Sequence, residues 1–250
     1  MEVHKHPHHV THKKKWTEYL LEFFMLFLAV FLGFLAEYQL EHKIEKDKER
    51  EFISSLYNDI RADTSNLVRI ISSRARKEVM LDSISYMMNS SSPQKFTKQI
   101  YPYAVLASRT RPYRFIATDG TMQQLKNAGG LRLIKNRAIV DSITRYDVNV
   151  RNFISQGVVE ETILNDYRTT ASKIFDATAY YEMLDEEMNL VREPSASPAL
   201  LPYTNKELYE WNYRIFSMRG INKANMRDAK MLLQQAKNLL KSLEVEYNLK

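Results

Sequence analysis

Seven prolines, at positions 7, 93, 102, 112, 194, 198 and 202, leave three long runs, 8–92, 113–193 and 203–250, free of the residue that most surely interrupts a helix. Glycine adds only 6 further turn-forming positions in 250 residues, so the two together reach about half their usual share. Sheet-rich folds need far more chain reversals than this allows. The expected fold is all-α: one N-terminal transmembrane helix continuing into an elongated antiparallel bundle of about three long helices, with short connecting helices.

Within each run the apolar residues keep helical spacing. Ile53, Leu56, Ile60, Leu67, Ile70, Leu81, Ile84 and Met88 share one face, with Asp63, Arg74 and Lys77 as its polar members. Asn89 and Ser90 to Ser92 end this helix, and Ser92-Pro93 reads as the N-cap and first helical position of another. A second stripe, in a helix capped by Asn136, runs through Ile139, Ile143, Tyr146, Val150, Phe153, Gly157, Glu160, Leu164, Tyr167, Ala171 and Ile174. The third helix opens at Thr204 with Glu207 three residues on, a capping box. Its stripe is Leu208, Trp211, Ile215, Met218, Asn222, Asn225, Ala229, Leu232, Ala236, Leu239 and Leu243. Steps of three and four alternate, the repeat that packs helices at shallow crossing angles. Each stripe has a small or polar break near its middle. Brought to one level, Arg74, Lys77, Glu160, Asn222 and Asn225 form a polar waist that either fixes helix register or holds a polar ligand or partner.

Ahead of these stripes the chain reads WTEYLLEFFMLFLAVFLGFLAEY from Trp16. Tyr19 to Tyr38 is 20 residues, about 30 Å of helix and enough to cross hydrocarbon. Trp16, Tyr19 and Tyr38 flank it as interfacial aromatics do. Phe34 spoils the small-x-small pattern before Ala36, so the segment reads as an uncleaved signal anchor. Glu22, Ala29 and Ala36 recur every seven residues with Gly33 on the same face, which suits close packing against another transmembrane helix, a partner's or a second copy's. The alternative for Glu22 is snorkelling to nearby headgroups. Lys5, Lys13, Lys14 and Lys15 before the span match Lys43, Lys46, Lys48 and Arg50 after it in number, but only the first group runs up to the span without intervening acids. That favours a cytoplasmic N-terminus. The chain then divides into a His/Lys-rich cytoplasmic tail (1–15), a transmembrane helix (16–40) and an extracytoplasmic helical domain (41–250).

The formal charge of +6 is unevenly placed. The connector 93–137 holds Lys95, Lys98, Arg109, Arg111, Arg114, Lys126, Arg132, Lys135 and Arg137 against Asp119 alone, a net +8, interleaved with Tyr101, Tyr103 and Tyr113. Outside a membrane such a patch suits anionic lipid headgroups or an acidic protein, and no nucleic acid is expected. Internal pairing with the acids of 158–190 is the other reading. Cysteine is absent and every histidine lies at or before His42, which removes thiolate sites, most hydrolase triads and most zinc sites from the rest of the chain. HKHPHHVTH near the N-terminus offers weak imidazole binding of nickel or zinc at most. YYEMLDEE lacks the glycine and spacing of a calcium loop. No phosphate-binding glycine loop or activated serine is present. The expectation is therefore no catalytic residue, no metal site and no cofactor.

The most distinctive stretch is TMQQLKNAGGLRLIKNRAIVDSITRY, residues 121–146: a short helix stopped by glycine, a tight link, then Asn136 capping the next helix. Together with the span EFFMLFLAVFLGFLAE it resembles a family of short single-span inner-membrane proteins of diderm bacteria, of unknown function. The resemblance covers roughly a third of the chain. It implies a bacterial inner-membrane location with a periplasmic helical domain, and it assigns no functional residue.

Taken together, the small-polar span face, the heptad stripes and the bare catalytic inventory lead to a non-enzymatic, single-pass accessory or scaffold subunit of a cell-envelope membrane complex. A ligand-sensing helical domain that signals through a partner is the alternative, because a tail of about 15 residues holds no signalling domain of its own.

Overall fold

A computed structural model of the chain describes residues 15–110 and 113–249. The described chain is helical, with no β-strand beyond two isolated antiparallel bridges, Phe175 with Leu200 and Leu184 with Leu190. In chain order the helices are α1 (Trp16–Met88), α2 (Thr97–Ala107), α3 (Gly120–Asn127), α4 (Arg137–Ala171), α5 (Thr178–Tyr181) and α6 (Asn205–Tyr247). Short 3-10 turns at Pro93–Phe96 and Gly130–Arg132 join them. The chain forms two compact units, one ending at Glu51 and one beginning at Phe52.

The first unit holds the N-terminal part of α1. Among the described residues it contains the one helical segment long and apolar enough to cross a membrane, with a mean hydropathy of 2.3 over 18 residues and none of that window buried. Phe23, Phe27 and Phe31 stack along one side at centroid spacings of 6.4 and 6.1 Å, the contact that a four-residue step produces.

In the second unit the stripes point inward. From Ile53 to Met88 every third or fourth residue of α1 is buried, the polar Asp63, Arg74 and Lys77 included. The faces of α4 and α6 are buried in the same alternation. Tyr57 on α1 reaches Glu244 on α6 and Asn89 reaches Asn212, so these two helices run antiparallel. Asn149 to Gln235 and Lys173 to Glu210 give the same relation for α4 and α6. α1 and α4 are consequently parallel, as Asp63 to Tyr146 and Arg74 to Glu160 show.

Two apolar cores result. One gathers Ile53–Ile70 of α1, Ile139–Phe153 of α4 and Ala229–Leu243 of α6. The other gathers Met80–Met88 of α1, Leu164–Ala171 of α4, Trp211–Met218 of α6 and the buried face of α2. Trp211 is fully buried there, between Tyr167 and Phe175 at 6.4 and 6.0 Å. Tyr101 of α2 ties this end together, its hydroxyl donating to Ala199 O at 2.6 Å and accepting from Asp176 N at 3.0 Å.

The local signals hold at the helix ends. Thr204 and Glu207 form the reciprocal capping box, and Asn136 Oδ1 accepts from the amides of Ala138 and Ile139. Gly129 adopts φ +66°, the left-handed turn that lets α3 stop and the chain reverse. Ser92 departs from its expected role: it precedes Pro93 but its side chain makes no capping bond. Pro102 departs too, lying inside α2 rather than breaking it. The lost amide bond is confined to one position of an 11-residue helix whose buried face packs into the second core.

Candidate functional site

Between the two cores lies a buried layer of polar side chains. Arg74 of α1 meets Glu160 of α4 end-on, Nη1 to Oε1 at 3.0 Å and Nη2 to Oε2 at 2.8 Å. Nη2 also donates to the carbonyl of Tyr113 at 2.9 Å. Lys77, one turn along α1, places Nζ 3.5 Å from Glu160 Oε1 and 4.4 Å from the centre of the Tyr113 ring. From α6, Asn225 Nδ2 donates to Glu160 Oε2 at 2.9 Å, and Asn222 Nδ2 donates to the Arg74 carbonyl at 3.0 Å. All five side chains are buried. The sequence steps explain the meeting: Arg74, Lys77, Glu160, Asn222 and Asn225 occupy inward positions that would otherwise hold leucine.

The electrostatics follow from two cations around one carboxylate. Burial by itself pushes the Glu160 carboxyl up, but the paired hydrogen bonds and charge of Arg74, with Lys77 and Asn225, outweigh it and hold the group below its ordinary value. Burial pushes the Lys77 ammonium down, with Glu160 opposing and Arg74 reinforcing. At the edge of the layer Glu78 accepts from Arg219 Nε at 2.8 Å and lies 3.4 Å from Lys223. Two atoms are left over. Arg74 Nε and Asn225 Oδ1 are buried and make no hydrogen bond among the described residues.

Both residues line a cavity of about 560 Å³, together with Tyr113, Phe115, Phe153 and Gly157. Gly157, which keeps step with the buried stripe of α4, is itself exposed. It borders the cavity together with Tyr113 and Phe115, which come from the segment between α2 and α3.

The remaining sequence candidates are placed differently. Glu22, Ala29, Gly33 and Ala36 are exposed on α1, and among the described residues a Cβ built on Gly33 would meet no atom within 4 Å. The basic residues spread over several elements: Lys95 in the first 3-10 turn, Lys98 in α2, Arg132 in the second turn, Arg137 at the start of α4, with Arg109, Arg114 and Lys135 between elements. Arg111 lies outside the described residues, as does the histidine-rich segment. Arg109 donates to the carbonyl of Met188. Lys126 pairs with Asp147 at 3.2 Å; of the acids of 158–190, Glu161 pairs with Arg168 and Asp166 with Arg214, while the charge of Arg109 acts on Asp185. Among the described residues no group of three or more His, Asp or Glu side chains is placed to hold a metal ion.

Two contributors, Tyr113 and Asp59, escape a reading by stripes, and so do the partners of Asp63. Tyr113 supplies both a carbonyl and a ring to the waist from a loop whose path has no periodic signature. Asp59 accepts from the amide of Thr121 at 3.1 Å, capping α3 from another helix. Asp63 accepts from Thr118 N at 2.8 Å and from the Tyr146 hydroxyl at 2.9 Å, which explains its buried polar place on α1.

No family model, curated protein or solved structure matches the chain.

Proposed function

We infer that the chain is a non-enzymatic, membrane-anchored helical protein that serves as an accessory or scaffold subunit of a cell-envelope membrane complex. The observation that carries this reading is the apolar window of α1, none of it buried among the described residues. Such a surface needs lipid or another transmembrane helix around it. The Glu22, Ala29, Gly33 and Ala36 face is the proposed contact, to a membrane-protein partner or to a second copy. The proposed topology has the N-terminus in the cytoplasm and the second unit in the periplasm of a bacterial inner membrane. Exposed Lys95 and Lys98 at one end of the second unit, Arg132, Lys135 and Arg137 at the other, and Arg114 between them are proposed as separate contacts for anionic headgroups or an acidic protein. A tagged pull-down from native membranes in mild detergent, followed by sizing, tests the reading. A second membrane protein in fixed proportion is the expected result. Recovery of this chain alone, as a monomer or a defined homo-oligomer, would overturn it.

A second reading has its own observation. The cavity beside the waist borders a buried guanidinium that touches α4 and α6 as well as its own helix. A ligand held there would bias the packing of all three helices, and an extracytoplasmic sensor that signals through a partner works in this way.

A further inference from the structure

The cavity beside the polar waist has a polar floor, an aromatic wall and an open side. On the floor, Arg74 and Asn225 are 3% and 2% exposed, and each keeps one atom without a hydrogen bond among the described residues. Arg74 Nε is a donor and Asn225 Oδ1 an acceptor. Phe115 and Phe153, whose ring centres lie 5.8 Å apart, form the wall with Tyr113. Exposed Arg114 and Gly157 stand at the open side. About 560 Å³ is the size of a small-molecule site rather than of a single water.

Charge selects the class of ligand. Glu160 and Glu161 line the cavity, but each is already matched: Glu160 by Arg74 and Lys77, Glu161 by Arg168 at 2.8 Å. Among the described residues Arg74, Lys77, Arg168 and Arg114 stand against these two carboxylates. An added anion lowers this excess of positive charge, whereas an added cation raises it.

We propose that this cavity binds a small organic anion, a carboxylate with an apolar body. The carboxylate faces Arg114 at the open side, and the apolar body packs on Phe115 and Phe153. The assignment rests on the ligand-sensing reading and gives it a substrate class. Gly157 supplies the handle for a test. Among the described residues a Cβ built there would meet no atom within 4 Å, so a side chain added at this exposed position leaves the core in place.

The experiment is calorimetric titration of the full chain in detergent micelles with mandelate, which carries a carboxylate and a phenyl body. Phenylethylene glycol and phenylethanolamine serve as its neutral and cationic counterparts. Saturable binding of mandelate alone is expected, about tenfold weaker in Gly157→Leu and about threefold weaker in Arg114→Gln. Circular dichroism confirms that both variants keep their helix content, and Arg114→Gln decides alone if Gly157→Leu does not. Equal binding of the neutral counterpart, undiminished binding by the variants, or no saturable heat up to about 10 mM would overturn the assignment. Hydrogen exchange of α1 is read on the same samples. Binding that leaves the exchange of residues 53–88 unchanged removes the sensing reading and leaves the site, so the two failures are distinct.

Discussion

Arg74 and Glu160 stand 86 positions apart in the chain and meet as a two-pronged ion pair of 3.0 and 2.8 Å, almost without solvent. The pair lies where the inward stripes of α1 and α4 carry charge in place of hydrocarbon, and it separates two apolar cores. Removing only its anion leaves Arg74 and Lys77 buried against each other. Glu160→Gln should therefore cost about 3–5 kcal/mol in urea unfolding. Replacing all three with methionine should bring stability back to or above the parent, by up to about 4 kcal/mol. If the triple variant were as unstable as Glu160→Gln, the hydrogen bonds of this layer, rather than its unbalanced charge, would govern stability.

The same layer sets a pH dependence. Glu160 is held below its ordinary value of 4.5 in the folded chain, so its stabilisation is complete above 4.5 and disappears as pH falls through the lower folded value. Asp63 acts in the opposite sense. Burial raises it above 3.8, against the bonds from Thr118 and Tyr146, so its contribution is present below 3.8 and is lost as pH rises through the raised value. Unfolding free energy measured from about pH 3 to pH 7 should fall on the acid side in the parent and fall less in Glu160→Gln. Asp63→Asn should steepen the acid-side fall. Parallel curves for parent and Glu160→Gln would show that the carboxylate does not titrate with folding.

The stripes that predict these helices are legible because a seven-residue alternation over α1, α4 and α6 has only one inward face. Arg74, Lys77, Glu160, Asn222 and Asn225 can be named from that pattern alone, since a charge at an inward position needs a partner at the same level. Tyr113, Phe115 and the cavity they border cannot. They come from a segment between helices, where position is set by tertiary contacts such as Asp63 with Thr118 and not by any period. Gly157 illustrates both sides. Its place in the stripe is readable, and its exposure is not, because nothing in the repeat says that it borders a cavity.

Tyr146 is the main link between α4 and Asp63, and its hydroxyl bonds a buried carboxylate at 2.9 Å. Tyr146→Phe keeps the packing and removes that bond. A loss of about 1.5–3 kcal/mol is expected, as for hydrogen bonds to charged groups. Tyr57→Phe, which removes a bond of 2.6 Å to Glu244 in a solvent-exposed setting, should change stability by less than about 0.5 kcal/mol. Equal effects at the two sites would mean that Asp63 finds another partner when Tyr146 is cut back.

Two glycines should respond in opposite directions. Gly129 turns the chain at φ +66°, where an added Cβ also meets the Arg132 guanidinium at 2.7 Å. Gly129→Ala should cost about 1–2 kcal/mol. Gly220 lies exposed within α6 with no atom within 4 Å of an added Cβ. Gly220→Ala should add about 0.5–1 kcal/mol by restricting the unfolded chain and favouring helix. Thermal unfolding of the two variants side by side checks both signs.

Glu22 tests the membrane part of the proposal. It shares a helix face with Ala29, Gly33 and Ala36, and seven residues of helix separate Glu22, Ala29 and Ala36 by about 10.5 Å at each step. Small residues allow a second helix close, and a carboxyl group at the same interface gains a hydrogen bond that lipid does not offer. Glu22→Leu leaves the span more apolar, so insertion should be undiminished. Association should weaken instead, shifting the detergent-solubilised chain from its assembled form to a smaller one on sizing, whether the other helix belongs to a partner or to a second copy. A double change of Ala29 and Gly33 to leucine should do the same by keeping the helices apart. If both variants size as the parent does, the face meets lipid, Glu22 reaches the headgroups, and the second unit carries the assembly.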